Sequence, residues 1–71
     1  MKFEYGVAVR LVFTQDTKYA YYYNDSYDLY EKLEPMFGHN IAEDAMCWSE
    51  MAIVGMYYEH DEFTIEMVEV L

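Results

Sequence analysis

The feature that most constrains this chain is a strict alternation near its start. Phe3, Tyr5, Val7, Val9, Leu11 and Phe13 take every second position over residues 2–14. Side chains fall on opposite faces at a period of two only in an extended strand, so the run predicts a long strand with one buried face. A lone strand has no stability in water, and the rest of the chain must supply partners and a cover.

The first partner follows at once. Gln15-Asp16-Thr17 reads as a polar turn, and residues 18–23 resume the alternation. Tyr19, Tyr21 and Tyr23 share one side, and Ala20 and Tyr22 share the other. Two runs so closely spaced predict an antiparallel hairpin. Asn24-Asp25-Ser26 then stops the strand and supplies a helix N-cap, with Asp28 three residues after Asp25 in the manner of a capping box.

Leu29, Tyr30, Leu33 and Phe37 recur at helical spacing. Pro35 disfavours helical geometry at Glu34 and Gly38 suits a turn, so this helix is expected to be short. Asn40 and Glu43 form a second capping pair. Behind them Ile41, Ala45, Trp48 and Ala52 make one stripe, widened by Ala42, Met46 and Ile53. Gly55 is the expected stop. Residues 57–61 read as a loop or a short extended piece. Residues 62–70 read as a closing strand, with Phe63, Ile65 and Met67 on one face.

The expected order is ββααβ, an α+β fold in which a three-stranded sheet carries a helical hairpin on one face. It forms a single domain over residues 1–71. The length of the first strand favours a central place, with the last strand parallel to it across a right-handed crossover. A plain meander is the alternative.

Composition decides how such a small unit holds together. The single cysteine cannot form an intrachain disulfide, and one core below about 70–80 residues rarely supplies more than roughly 3–5 kcal/mol. Nine Tyr, four Phe and one Trp compensate with size, each burying on the order of 150–250 Å². Dimerisation would stabilise the unit further. Residues 1–5 do not resemble a secretory signal, and the longest apolar run, 51–58, is far below the ~20 residues of a membrane span. A cytoplasmic location is expected.

Charge excludes more. Fourteen acids against four bases give a net charge of −10. A direct nucleic-acid or anionic-membrane binder needs clustered Lys and Arg, which this chain lacks. The balance is uneven: residues 1–32 hold all four bases at a net of −1, and residues 33–71 hold nine acids and no base. Those acids are interleaved with Trp48, Ile53, Phe63, Ile65 and Val68, so the charge belongs to a folded surface.

Signatures of catalysis are thin. No hydroxyl lies in a nucleophile-elbow or Ser-x-x-Lys pattern, and no Gly-rich phosphate loop is present. Cys47 has His39 or His60 as a conceivable base, but it sits beside Trp48 with no cation near it in sequence and reads as a small hydrophobe. Glu59-His60-Asp61-Glu62 is dense in ligand types without zinc or calcium spacing, and reads as a solvated loop. Neither a metal nor another cofactor is expected. A small metal-dependent enzyme around Cys47, His60 and Asp61 is the remote alternative.

The tyrosines are a binding signal as well as a packing one. Six fall within residues 19–30, and Tyr57-Tyr58 adds a pair. Strands cannot bury both faces unless both are covered, so Tyr22 at least should reach solvent. Tyr brings rigid area and a polar tip to protein interfaces. Met51, toward the polar side of its helix, is the most exposed of the methionines at 46, 51 and 56.

Together these features predict a non-enzymatic acidic module that acts through protein–protein contact. Glu43, Asp44, Glu50, Glu66 and Glu69 would supply the field, and exposed Tyr22, Tyr57 or Tyr58 the anchors. Its partner is a basic protein surface, for instance the groove of a nucleic-acid-binding protein, since DNA carries one charge per ~1.7 Å and its readers keep a strong positive field. In size, and in the acidity of residues 34–69, the chain resembles small phage- and plasmid-borne inhibitors of the anti-restriction and anti-CRISPR type that mimic DNA. That resemblance implies inhibition by occupying a nucleic-acid channel. The alternative is a homodimer pairing through its sheet edge or tyrosine face, with acidity serving solubility alone.

Overall fold

A computed structural model describes residues 1–70. Six elements follow in order: β1 (Val7–Phe13), β2 (Asp16–Tyr23), α1 (Ser26–Phe37), α2 (His39–Met51), β3 (Tyr57–Glu59) and β4 (Phe63–Glu69). The four strands form one antiparallel sheet in the order β2-β1-β4-β3, and the two helices cover one of its faces. The fold is α+β, with the helical hairpin and the central first strand where the sequence places them.

Strand number and direction differ from expectation. Tyr57–Glu59 is a fourth strand, paired along the outer side of β4. It adds one reversal of chain direction. β4 therefore arrives antiparallel to β1, with Val9 opposite Met67 and Leu11 opposite Ile65, and not parallel across a crossover.

β1 is also shorter than its alternation. Gly6 takes φ +83, which L side chains rarely adopt, and its carbonyl accepts the Val70 N–H. Tyr5 is fully exposed in consequence, against the expectation that it shares the buried face. Residues 1–3 run instead beside the entry to α1, with the Phe3 N–H donating to the Asn24 carbonyl at 2.9 Å. Phe3 still reaches the core.

Asp25 caps α1 as expected, its carboxylate accepting the Tyr27 N–H at 2.9 Å. The helix continues through Pro35 to Phe37. A proline this close to the end removes one backbone bond and leaves only two further residues of helix, Met36 and Phe37. Gly38, at φ 91 and ψ 170, then closes α1 and opens α2 in a single residue. α2 starts at His39, so Asn40 lies inside the first turn and forms no cap with Glu43. The helix ends at Met51 because Ala52 is extended, three residues before Gly55.

The core lies between helices and sheet. Val9, Leu11, Phe63 and Ile65 come from the strands, and Leu29, Leu33, Ala42 and Ala45 from the helices, all fully buried. Each large side chain contributes about 1.5–3 kcal/mol. Ser49 joins the α2 stripe because its hydroxyl donates to the Met46 carbonyl at 2.7 Å, satisfying itself within the helix. Ile53 does not join it. Beyond the helix end it is 71% exposed.

Candidate functional site

The residues singled out for partner binding fall on two opposite sides of the molecule. The helical layer carries the acids. Asp28, Glu31 and Glu34 on α1, with Glu43, Asp44 and Glu50 on α2, are all exposed. Lys32 is the one lysine or arginine on these helices, and it is turned away from them: its Nζ lies 4.8 Å from the centre of the Tyr21 ring and 5.8 Å from that of Phe13. Such cation–π contacts hold the charge toward the sheet.

Three of the proposed acids on this layer have partners. Glu43 lies 3.0 Å from His39 Nε2, whose Nδ1 is 2.8 Å from the Tyr30 hydroxyl. Asp44 accepts the Tyr58 O–H at 2.6 Å, tying α2 to β3. Glu50 accepts from Ser26 at 3.0 Å, tying the end of α2 to the start of α1. Asp44 and Glu50 therefore brace the fold while still facing water. Glu31 and Glu34, which the sequence reading did not select, are exposed acids on the same layer.

Tyr58 is not the exposed anchor expected. Its ring packs between Trp48, at 5.6 Å, and Phe63, at 6.1 Å, and its hydroxyl is held by Asp44. Burial first, and the Asp44 carboxylate second, push its pKa up from 10.0 to about 12. The protonated form is favoured in the folded state, so this contribution is complete below pH 10 and fades as pH rises toward 12. Tyr58→Phe is expected to cost about 1 kcal/mol, the value of one hydrogen bond whose carboxylate partner can rehydrate. Urea melts should show that loss at neutral pH and a smaller one above pH 11, while the latest tyrosinate absorbance step disappears.

Of the remaining residues, Tyr22, Glu66 and Tyr57 sit on the uncovered face of the sheet, while Glu69 falls on the other side, in line with Met67. Strand register places Tyr22, Arg10, Glu66 and Tyr57 side by side, one from each strand in sheet order. Arg10 and Glu66 are 3.8 Å apart, and the neighbouring Glu66 carboxylate raises the pKa of Tyr57. Tyr22 and Tyr57 are 55% and 57% exposed. Glu69 is exposed at the end of β4, opposite Val7. The acids of the second helix and the anchors Tyr22 and Tyr57 are thus not on one surface.

Cys47 is exposed on α2, contrary to its reading as a small hydrophobe in the packing. His60 is not a free ligand. It stacks on Phe63 at 4.6 Å, and its Nδ1 accepts the Glu62 N–H at 3.1 Å. Among the described residues no three His, Cys, Asp or Glu side chains are grouped to hold a metal ion, and no helix is long and apolar enough to cross a membrane.

One feature escaped the sequence entirely. An open cleft of about 320 Å³ lies between residues 1–7 and the end of α2, lined mainly by Phe3, Val7, Ala52, Ile53, Val54 and Met67. It exists because the chain leaves the sheet at Gly6, a backbone event that alternation does not report. Met51, at 79% exposed, stands on the same end of α2 and matches its expected exposure. No protein-family model, curated protein or solved structure matches this chain.

Proposed function

We propose that this chain is a non-enzymatic acidic interaction module whose helical layer docks on a basic protein surface. The observation that carries the reading is the pairing of six exposed carboxylates on α1 and α2 with a single lysine drawn away toward Tyr21 and Phe13. An unneutralised field on a rigid two-helix face favours steered encounter with a cationic groove. In its most specific form the module is an inhibitor of the anti-restriction or anti-CRISPR kind, which occupies the channel of a nucleic-acid-binding protein. The size and acidity of the chain support that form, and so does the lack of any free base on this face. Its compartment under this reading is the cytoplasm.

The test uses acids that do not brace the fold. Immobilised chain should capture basic proteins from a lysate of the source cell at low salt and release them as salt rises past a Debye length of about 8 Å. Duplex DNA should displace a partner held through its nucleic-acid channel. Glu31→Lys with Glu34→Lys should slow association about tenfold or more without altering the melting midpoint of the free chain. Capture that ignores both salt and these reversals would overturn the reading. Capture that is salt-sensitive but indifferent to DNA would remove the mimic form alone.

A further inference from the structure

We infer that the uncovered face of the sheet is a self-association surface, and that its occupant is a second copy of this chain. The row Tyr22–Arg10–Glu66–Tyr57 crosses all four strands, and its order is complementary to itself. A two-fold axis between β1 and β4, parallel to the strands, lays Arg10 over the second copy's glutamate at 66. The same operation lays Tyr22 over its tyrosine at 57. Each charge meets its opposite twice, which is the isologous pattern that closed dimers require. An axis along the row itself would set Arg10 against arginine, so the charges choose between the two face-to-face arrangements.

The flanking positions suit the same arrangement. By register, Ala8 and Val68 lie on one side of the row, and Val12 and Thr64 on the other; Ala8 is buried and the other three are partly exposed. These small or β-branched side chains give a flat surface on which two sheets can stack about 10 Å apart. Charge segregation points the same way. Of the net −10, the helices carry −5, and stacking sheet on sheet keeps these two acidic layers several Debye lengths apart.

The contact is modest. Strand spacing of about 4.8 Å and a rise of about 3.4 Å per residue give roughly 400 Å² per copy. At about 800 Å² in total that is below the range of stable interfaces, so a weak, concentration-dependent dimer is expected. It leaves both helical layers outward and available, and is independent of the docking proposed for them.

Sedimentation equilibrium on the intact chain, from about 1 µM to about 1 mM, tests the proposal. Wild type should dimerise. Arg10→Glu and Glu66→Arg should each weaken self-association about tenfold or more, since each sets like charges face to face. Mixing the two single variants should restore a dimer, because every charge then meets its opposite across the interface. Circular dichroism on each single variant checks that it remains folded; both residues are partly exposed. A wild-type chain that stays monomeric throughout would overturn the proposal. So would a dimer indifferent to Arg10→Glu, as pairing along the β2 edge would be, or a mixture that fails to associate.

Discussion

Phe63→Ala is expected to leave the chain largely unfolded at room temperature. Phe63 opens β4, is fully buried, and is the hub of an aromatic cluster: Phe37 lies 5.1 Å away, His60 4.6 Å and Tyr58 6.1 Å. Removing a buried phenylalanine ring costs about 3–5 kcal/mol through lost transfer energy and the cavity left behind. A domain of this size, with no disulfide, holds roughly that much in total. The neighbours cannot collapse into the gap at low cost. Phe37 is anchored at the end of α1, and His60 is held in its turn by the Glu62 N–H. Far-ultraviolet circular dichroism should show lost structure for Phe63→Ala, whereas Phe63→Leu, which refills most of the volume, should remain folded with a lower urea midpoint. A folded Phe63→Ala chain with a midpoint near wild type would mean that the cluster contributes little.

The sheet core was legible because alternation is a local signal. Val9, Leu11, Phe63, Ile65 and Met67 are buried as their spacing demands, and Leu29 and Leu33 likewise follow from helical spacing. What failed depended on backbone geometry or on distant partners. Tyr5 continues the alternation perfectly, yet a positive φ at Gly6 turns it out to solvent. Tyr57–Glu59 is too short to carry a period of its own, and it is a strand because β4 lies beside it. That one short strand also set the direction of β4. Ser49 shows the converse: hydropathy keeps a serine off a buried stripe, while its bond to the Met46 carbonyl admits it.

The candidate site was legible in kind but not in grouping. Sequence counts charge along the chain and draws the boundary near residue 32; the fold counts it by layer. Asp28 and Glu31 belong to the nominally neutral half, yet they share the helical face with Glu34, Glu43, Asp44 and Glu50. Glu66 belongs to the acidic half, yet it is the partner of Arg10 on the opposite side. Lys32 has acids as sequence neighbours and aromatic rings as spatial ones. Register is the missing information, since only strand pairing sets Tyr22, Arg10, Glu66 and Tyr57 in one row.

Gly38→Ala is expected to destabilise the chain by roughly 1–3 kcal/mol even though the new methyl group meets no other atom. An added Cβ at Gly38 has nothing within 4 Å, so crowding by neighbours contributes no cost. The cost lies in the backbone. At φ 91 and ψ 170 the residue occupies a region that is essentially glycine's alone. The same residue serves both helices, its N–H donating to the Glu34 carbonyl at 2.9 Å and its carbonyl accepting from Ala42 at 3.2 Å. Relieving the strain by changing φ would swing α2 against α1 and separate Leu33 from Ala42 and Ala45 in the core. The chain must therefore keep the strain or lose packing, and both lower its stability. Gly38→Asn sharpens the test, because asparagine tolerates the compact left-handed region but not this extended one. Urea melts should place the alanine and asparagine variants together, well below wild type. Rescue by asparagine alone would show that the link adopts an ordinary left-handed turn.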